Sequence, residues 1–597
     1  MPQVRQRSEV PSQDRWNLSL LYTDETAWEA DFSRLKNLVK EIPTWEGTLT
    51  SAQALKKAVD FSHQWERLAE KLGEYAHLKV AEDVVDATAN ERMGRFYAVV
   101  TEANAASSYL VPEILAISDE KWNDWIGQEL LAEDRISLTK LRRFKPHVLG
   151  EEAERVLALG GEVRGSASKT FSQLTNADMD FGSLTVEGKE IPLSQSSYSV
   201  FLQNPDRQVR QAAYNQFYAE FAAHANTLAS LYAASVQQDV WMSRARGYAS
   251  SRAQALYADK VPEEVYDNLI KTVRSSLPHL HRYYEIRRRA LGVERLHHSD
   301  AYAPMVPEAR RITPFEEAVK LVEKAVAPLG SEYQGILKQG LAGGWVDKYE
   351  NKGKRSGAFS SGCYDSVPYI LLNYKDEDLR DVFTLAHEAG HSLHSWYSQH
   401  NNPYPHYSYT IFEAEVASTF NEQLLAKVFL DQATEPKERA AVLGKLIEDT
   451  VATLFRQTMF AEFEHLVHQH AEAGEALTLE YFRSTYRGLL EAYFGPEVEL
   501  PEVASLEGLR IPHFYNAFYV YKYATGLSAA IALSERVLKG GEKERAQYLG
   551  FLKSGGSRFP LESLQEAGVD MSQPEPIQRA MEVFARRLDE LEKLLLT

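Results

Sequence analysis

Over long stretches of this chain, apolar residues recur every three or four positions with charges between them. Only an α-helix turns that spacing into a continuous buried face. It holds over residues 51–78, 207–243, 262–291 and 436–471. Helix starts are marked by Pro262-Glu263-Glu264 and by Thr313-Pro314-Phe315-Glu316-Glu317, where proline stands in the first turn. Strand patterns are few. Residues 184–193 read as a short hairpin turning at Gly188, and residues 300–306 and 368–374 read as extended segments. No repeat of fixed period and no low-complexity tract is present. The expected fold is mainly α with a small sheet in the second half. Soft breaks near Val111-Pro112 and through 160–197 divide the chain into residues 1–112, an N-terminal helical region, then 113–197 and 198–597.

With 597 residues, 44% of them hydrophobic, the chain can bury a large core. Its 66 basic against 84 acidic residues leave a formal charge of -18, which argues against nucleic-acid binding because phosphate repulsion would go uncompensated. The most basic run, Arg287-Arg288-Arg289, reads as a solvated helix face. Cys363 is the single cysteine, so no intrachain disulfide and no Cys-rich zinc module can form, as expected in a reducing compartment. The stretch after Met1 has no apolar segment of the kind a secretory signal needs, and no run approaches the ~18 apolar residues of a membrane span. The expected location is the cytoplasm, with no membrane partner.

One segment carries chemistry: Leu385-Ala386-His387-Glu388-Ala389-Gly390-His391-Ser392-Leu393-His394. Residues four apart share a helix face, so His387 and His391 can present imidazole nitrogens to one metal ion. Glu388 lies about 100° round the helix, placed to hold a metal's water without binding the metal. Random placement of 17 histidines and 84 acidic residues gives at most ~0.07 such motifs in a chain of this length, so chance is a poor explanation. A catalytic zinc takes three protein ligands and keeps one position open. His394 shares the face of His387 but stands about 10.5 Å further along the helix, which suits a neighbouring or packing role better than a ligand. Downstream, residues 410–420 start a second helix, where Glu413 and Glu415 both qualify as the third ligand on spacing and Glu422 ranks behind them.

His387-Glu388-Ala389-Gly390-His391 followed by Glu415-Val416-Ala417-Ser418 resembles the thimet oligopeptidase (M3) family of zinc peptidases, and most closely its oligoendopeptidase F branch. Supporting stretches are residues 356–362, 368–374, 513–526, 552–557 and 568–571, so the resemblance runs from about residue 115 to the end. It implies that 113–197 is an oligoendopeptidase F-type N-terminal domain and 198–597 the catalytic domain. It also implies a large helical clamshell with a deep channel and a small β-sheet beside the metal-binding helix. By the same resemblance Glu415 is the third ligand of one Zn2+ per chain and Glu413 its neighbour.

In such a peptidase, residues 368–374, with Tyr369 as a substrate contact, form an edge strand whose unpaired backbone groups receive an extended peptide. The segment from Gly357 to Gly362 reads as a mobile loop over the substrate. A transition state with charge growing on oxygen needs neutral donors, which the Tyr- and His-rich stripe at 513–523 supplies on the helix expected there. His513 and Tyr521 are the first choices, with Tyr515 and Tyr519 behind them. The segment Glu464-His465-Leu466-Val467-His468-Gln469-His470 lacks a base and a third ligand and reads as a surface helix; His279-Leu280-His281 and His297-His298 read as structural or exposed.

The expected activity is internal cleavage of short unstructured oligopeptides, with Glu388 as general base. Two rivals stand beside it. A carboxypeptidase or dipeptidyl carboxypeptidase of related fold would need a cation for the substrate's terminal carboxylate, and none is identifiable. A helical peptide-binding scaffold with a structural metal is hard to reconcile with Glu388 and only three strong ligands.

Overall fold

The computed structural model of the chain describes residues 4–306 and 312–596, with the backbone alone at 151 and 162, so Met1–Gln3 of the N-terminal stretch fall outside it. The fold is mostly helical. Two compact units interleave along the chain: Met1–Lys145, Arg310–Val428 and Leu533–Val569 make one, and Pro146–Ala309, Phe429–Ala532 and Asp570–Thr597 the other. Seven short strands occur among the described residues: β1 (Ser183–Val186), β2 (Lys189–Pro192), β3 (Leu296–His297), β4 (Val346–Asp347), β5 (Phe359–Ser361), β6 (Tyr369–Leu371) and β7 (Val498–Glu499). No helix among the described residues is long and apolar enough to cross a membrane.

In the first unit, the periodic segment beginning at Ser51 forms helix α1 (Ala52–Glu82), capped where the Ser51 hydroxyl accepts the Ala54 N–H. Its buried face, with Leu68, Leu72 and Tyr75, joins Trp28, Phe32 and Leu35 in one apolar cluster, and Tyr369 and Leu371 of β6 pack into that cluster. The sheet order is β4-β6-β5, with β6 parallel to β4 and antiparallel to β5. Residues 368–374 therefore supply the middle strand, where an edge strand is expected. The reason lies in the run Tyr369-Ile370-Leu371-Leu372, every residue of which is buried: an apolar run without alternation marks a strand covered on both faces. The two edges are β4 and β5, and β5 lies inside the Gly357–Gly362 segment, where a loop is expected. Both β5 and β6 lie against helix α2 (Leu379–Asn401), and α2 is followed by helix α3 (Ile411–Gln432).

In the second unit, three long periodic segments are broken into shorter helices. Residues 207–243 become Arg207–Ala223 and Ala225–Ala245, residues 262–291 become Glu263–Ser275 and Leu277–Ala290, and Pro436–Thr450 meets helix α4 (Arg456–Glu472) through a π-helical turn at Val451–Phe455. The hairpin forms as expected: β1 and β2 pair antiparallel, and Glu187 and Gly188 both take positive φ, 50° and 76°, as a tight two-residue turn requires. Residues 300–306 are not extended. A short 3-10 turn, His298–Asp300, buries Asp300 between Arg207 and Arg210. Arg287 likewise leaves the solvated face assigned to its run: it is fully buried and donates to the carbonyls of Asp300 and Ala303.

Candidate active site

Helix α2 opens at Asp378, whose carboxylate accepts the Arg380 N–H, and Val382, Phe383, Leu385, Ala386 and Ala389 bury its inner face. That anchoring fixes the rotation of the helix and with it the two histidines. His387 Nε2 and His391 Nε2 stand 3.2 Å apart. Helix α3 brings Glu415 Oε2 to 3.6 Å from the first and 4.0 Å from the second. Ligands held 2.0–2.2 Å from a tetrahedral zinc lie about 3.4 Å from one another, so this donor set fits the ion without rearrangement. Among the described residues, His387, His391 and Glu415 are the only three that converge in this way.

Gly390 explains how the two helices come so close. A Cβ there would lie 2.6 Å from the Ala417 carbonyl oxygen and 2.6 Å from Ser418 Cα, so the backbone of α3 occupies the space a side chain would need. The Ser418 hydroxyl, fully buried, shares its proton between the Glu415 backbone carbonyl at 3.1 Å and Glu415 Oε2 at 3.2 Å, which steadies the carboxylate. On the far side of the His387 ring, Nδ1 meets Glu422 Oε1 at 2.6 Å. With Nδ1 carrying the proton, the Nε2 lone pair faces Glu415 and His391, as a ligand must. Burial works against a charged His387, but the hydrogen bond and charge of Glu422, with Glu388 and Glu415 nearby, lift its pKa to about 9. His391 is held neutral by burial and by the neighbouring imidazole of His387.

Glu388 is 6% exposed. Burial pushes its carboxyl up to about 7, the charges of Glu415 and Glu422 push the same way, and His387 and the Ser360 amide pull it back. A carboxylate poised there can take a proton and return it near neutral pH. The Ser360 amide belongs to edge strand β5, and the Ser360 hydroxyl lies 2.8 Å from that of Ser392 on α2, so β5 is tied to the metal helix at the base itself.

Other residues singled out in the sequence stand apart from this cluster. His394 is 1% exposed and stacks on Tyr409 with ring centroids 3.7 Å apart, and burial drives its pKa down to about 3. Glu413 turns back on its own helix start, accepting from the Thr410 amide and hydroxyl at 3.2 Å each. Tyr369 cannot be a side-chain contact for substrate: it is fully buried, and its hydroxyl donates to the Asn17 carbonyl at 3.1 Å. Gly357 and Gly362 are exposed and flank β5.

The 513–523 stripe lies in the second unit. It is not a helix throughout: Pro512–Tyr515 is a 3-10 turn, and helix α5 (Tyr521–Lys539) begins only at Tyr521. Tyr521 is fully buried against Tyr266, which removes it from any role at a surface. Tyr515 stacks on Phe171 with centroids 4.5 Å apart. His513 is exposed and groups with Tyr519 and with Tyr523, a residue the sequence reading passed over. The surface helix expected at 464–470 is buried on one side. Glu464 is fully enclosed and accepts the Phe518 N–H at 3.0 Å, and His468 is 1% exposed.

Two histidines one turn apart, a buried glutamate beside them and a glutamate ligand from the next helix define a zinc metallopeptidase. Comparison with known proteins narrows the class. Residues 200–583 match the model of peptidase family M3, and residues 113–181 match that of Oligopeptidase F. Oligopeptidase PepF of Bacillus subtilis is 42% identical, over 100% of this chain and 89% of the relative. The plasmid-borne oligoendopeptidase F of Lactococcus lactis subsp. cremoris is 38% identical over 99% of each chain. Among solved structures, a peptidase from Chlamydophila abortus superposes with a TM-score of 0.93 at 38% identity, covering 99% of this chain and 100% of the other. Oligoendopeptidase-F from Enterococcus faecium gives a TM-score of 0.75 at 34% identity over 96% and 99%. The chain belongs to peptidase family M3, in its oligoendopeptidase F branch, and is a zinc-dependent endopeptidase.

Proposed function

We propose that the enzyme holds one Zn2+ per chain on His387, His391 and Glu415 and cleaves internal bonds of short, unstructured oligopeptides. The observation that carries the reading is the convergence of three ligand atoms beside a buried carboxyl. The bound ion would polarise the scissile carbonyl and acidify water at the site. Glu388 accepts the proton of the attacking water and passes it to the departing amine. The Glu422 hydrogen bond keeps the His387 ring in register, and Ser418 does the same for Glu415. An extended peptide is received along β5, whose outer edge faces the base through Ser360.

The clamshell with a deep channel that the resemblance implies goes with this reading, and so does a limit on substrate size. A cytoplasmic setting is supported by the single, buried Cys363. Digestion of one protein in three forms tests the proposal: native, unfolded and as tryptic fragments. Fragments of roughly 5–20 residues, extending about 17–70 Å, should be cut internally and quickly. Rapid loss of the native form would overturn the size limit, and release of only C-terminal residues would favour a carboxypeptidase.

A further inference from the structure

Glu66, Glu70 and Glu74 stand at four-residue intervals on one face of α1. Like charges at that spacing oppose each other and weaken a helix, so the row needs a reason. Elsewhere in the first unit a buried carboxylate is neutralised, as Asp347 is by Arg7 and Lys354. Among the described residues no lysine or arginine pairs with any member of the row; its partners are hydroxyls and the Tyr364 amide, all uncharged. Glu70 accepts from Tyr404 at 3.1 Å and Tyr407 at 2.7 Å, and Glu74 Oε2 accepts from Ser361 at 3.0 Å. Glu74 Oε1 is shut away from water and has no hydrogen-bond partner among the described residues. Burial raises all three carboxyls, Glu66 and Glu74 to about 7, as expected where a counter-charge is missing.

The position of the row gives it meaning. Ser361, which touches Glu74, is the last residue of β5 and the neighbour of Ser360, whose amide reaches Glu388. From Glu66 to Glu74 the helix rises ~12 Å, the span of three to four residues of extended peptide. The three carboxylates do not converge on a point where one metal ion could bind them together.

We propose that Glu66, Glu70 and Glu74 form a subsite for the organic cations of a peptide lying along β5, lysine or arginine side chains or a free amino terminus. The inference rests on the peptidase reading. A bound ammonium or guanidinium supplies the missing counter-charge and satisfies the orphaned oxygen of Glu74, so basic peptides are selected over neutral ones of the same shape.

The test uses the zinc-loaded enzyme and a set of internally quenched peptides, each carrying lysine or its uncharged isostere norleucine at one position, with a free or an acetylated amino terminus. Lysine at one or more positions should raise kcat/KM about tenfold over norleucine. That ratio should fall towards one in the Glu66→Gln/Glu70→Gln/Glu74→Gln variant and partway in Glu74→Gln. Loss of preference on acetylation alone would assign the cation to the amino terminus. A ratio near one at every position with the free terminus and no effect of acetylation, or a preference that survives the triple substitution, would overturn the subsite. Binding of the same peptides to Glu388→Gln protein is measured in parallel. If no peptide is cleaved the peptidase reading falls, while the lysine-to-norleucine affinity ratio still decides the subsite. Thermal unfolding of each variant excludes misfolding as the cause.

Discussion

Glu422 Oε1 lies 2.6 Å from His387 Nδ1, so the helix that provides the third ligand also orients the first. Glu415 and Glu422 are seven residues apart, about two turns, and share one face of α3. Outer partners of this kind set the tautomer and basicity of a metal-bound histidine. Replacing Glu422 with alanine should weaken zinc binding about 10- to 100-fold, and glutamine, which can still accept from Nδ1, should lose less. Competition against a chelator of known affinity measures both. Equal affinity in wild type and Glu422→Ala would remove the residue from the metal's support.

Glu388→Gln preserves size and hydrogen bonding but cannot accept the water's proton. kcat should drop by roughly 100- to 10,000-fold with zinc still bound. Metal content by atomic spectroscopy, beside turnover of a quenched peptide, checks the two halves separately. Retention of more than about a tenth of activity would exclude Glu388 as the base.

Glu415→Ala should lose zinc outright, because two histidines alone make a weak site. His394→Ala should keep one zinc per chain and act on stability instead, through the lost stack on Tyr409. Stoichiometry and melting temperature, measured on both proteins, separate a ligand from a packing residue. Zinc lost from His394→Ala and kept by Glu415→Ala would reverse the assignment.

How much of this could be read from the sequence depends on the range of the signal. The pairing of His387 and His391 is local, since four residues on a helix fix it. The choice between Glu413 and Glu415 is not: they point about 160° apart around α3, and which one meets the histidines is decided by the crossing with α2. That crossing turns on Gly390, a small residue whose importance shows only once Ala417 and Ser418 are seen against it. For β6 the signal was present in the unbroken apolar run at 369–372, which marks a central strand. Tyr521 and Glu464 mislead for a common reason. Both are polar residues on amphipathic patterns, and burial by tertiary packing leaves no trace in composition.

Gly390→Ala should therefore be costly. The added methyl meets α3 backbone at 2.6 Å, which cannot yield as a flexible side chain would, so the helices must separate and Glu415 must retreat from the histidines. Zinc affinity and melting temperature should fall together. Gly444, on the helix Pro436–Thr450, has open space where its Cβ would go. There alanine should raise stability by ~0.5–1 kcal/mol, since it restricts the unfolded chain and favours helix. Similar effects at the two positions would mean that close helix approach does not set the cost.

Glu66 offers a test of the carboxylate row that needs no substrate. Burial raises its carboxyl from 4.5 to about 7, with Glu70 adding to the shift, and among the described residues it has no hydrogen bond to lose. An acid whose pKa is higher in the fold than in the unfolded chain costs stability wherever it is ionised in both states, that is above about 7. Between about 7 and 4.5 the folded protein keeps a proton that the unfolded chain releases, so the cost fades as pH falls; below 4.5 it is gone. Glutamine imitates the protonated form at every pH. Glu66→Gln should therefore melt above wild type at pH 8, and its advantage should shrink through pH 7 and vanish near pH 4.5. Melting curves of the two proteins at matched ionic strength give the difference directly. A constant offset across that range, or a variant less stable at pH 8, would show that Glu66 already has the counter-charge its surroundings lack.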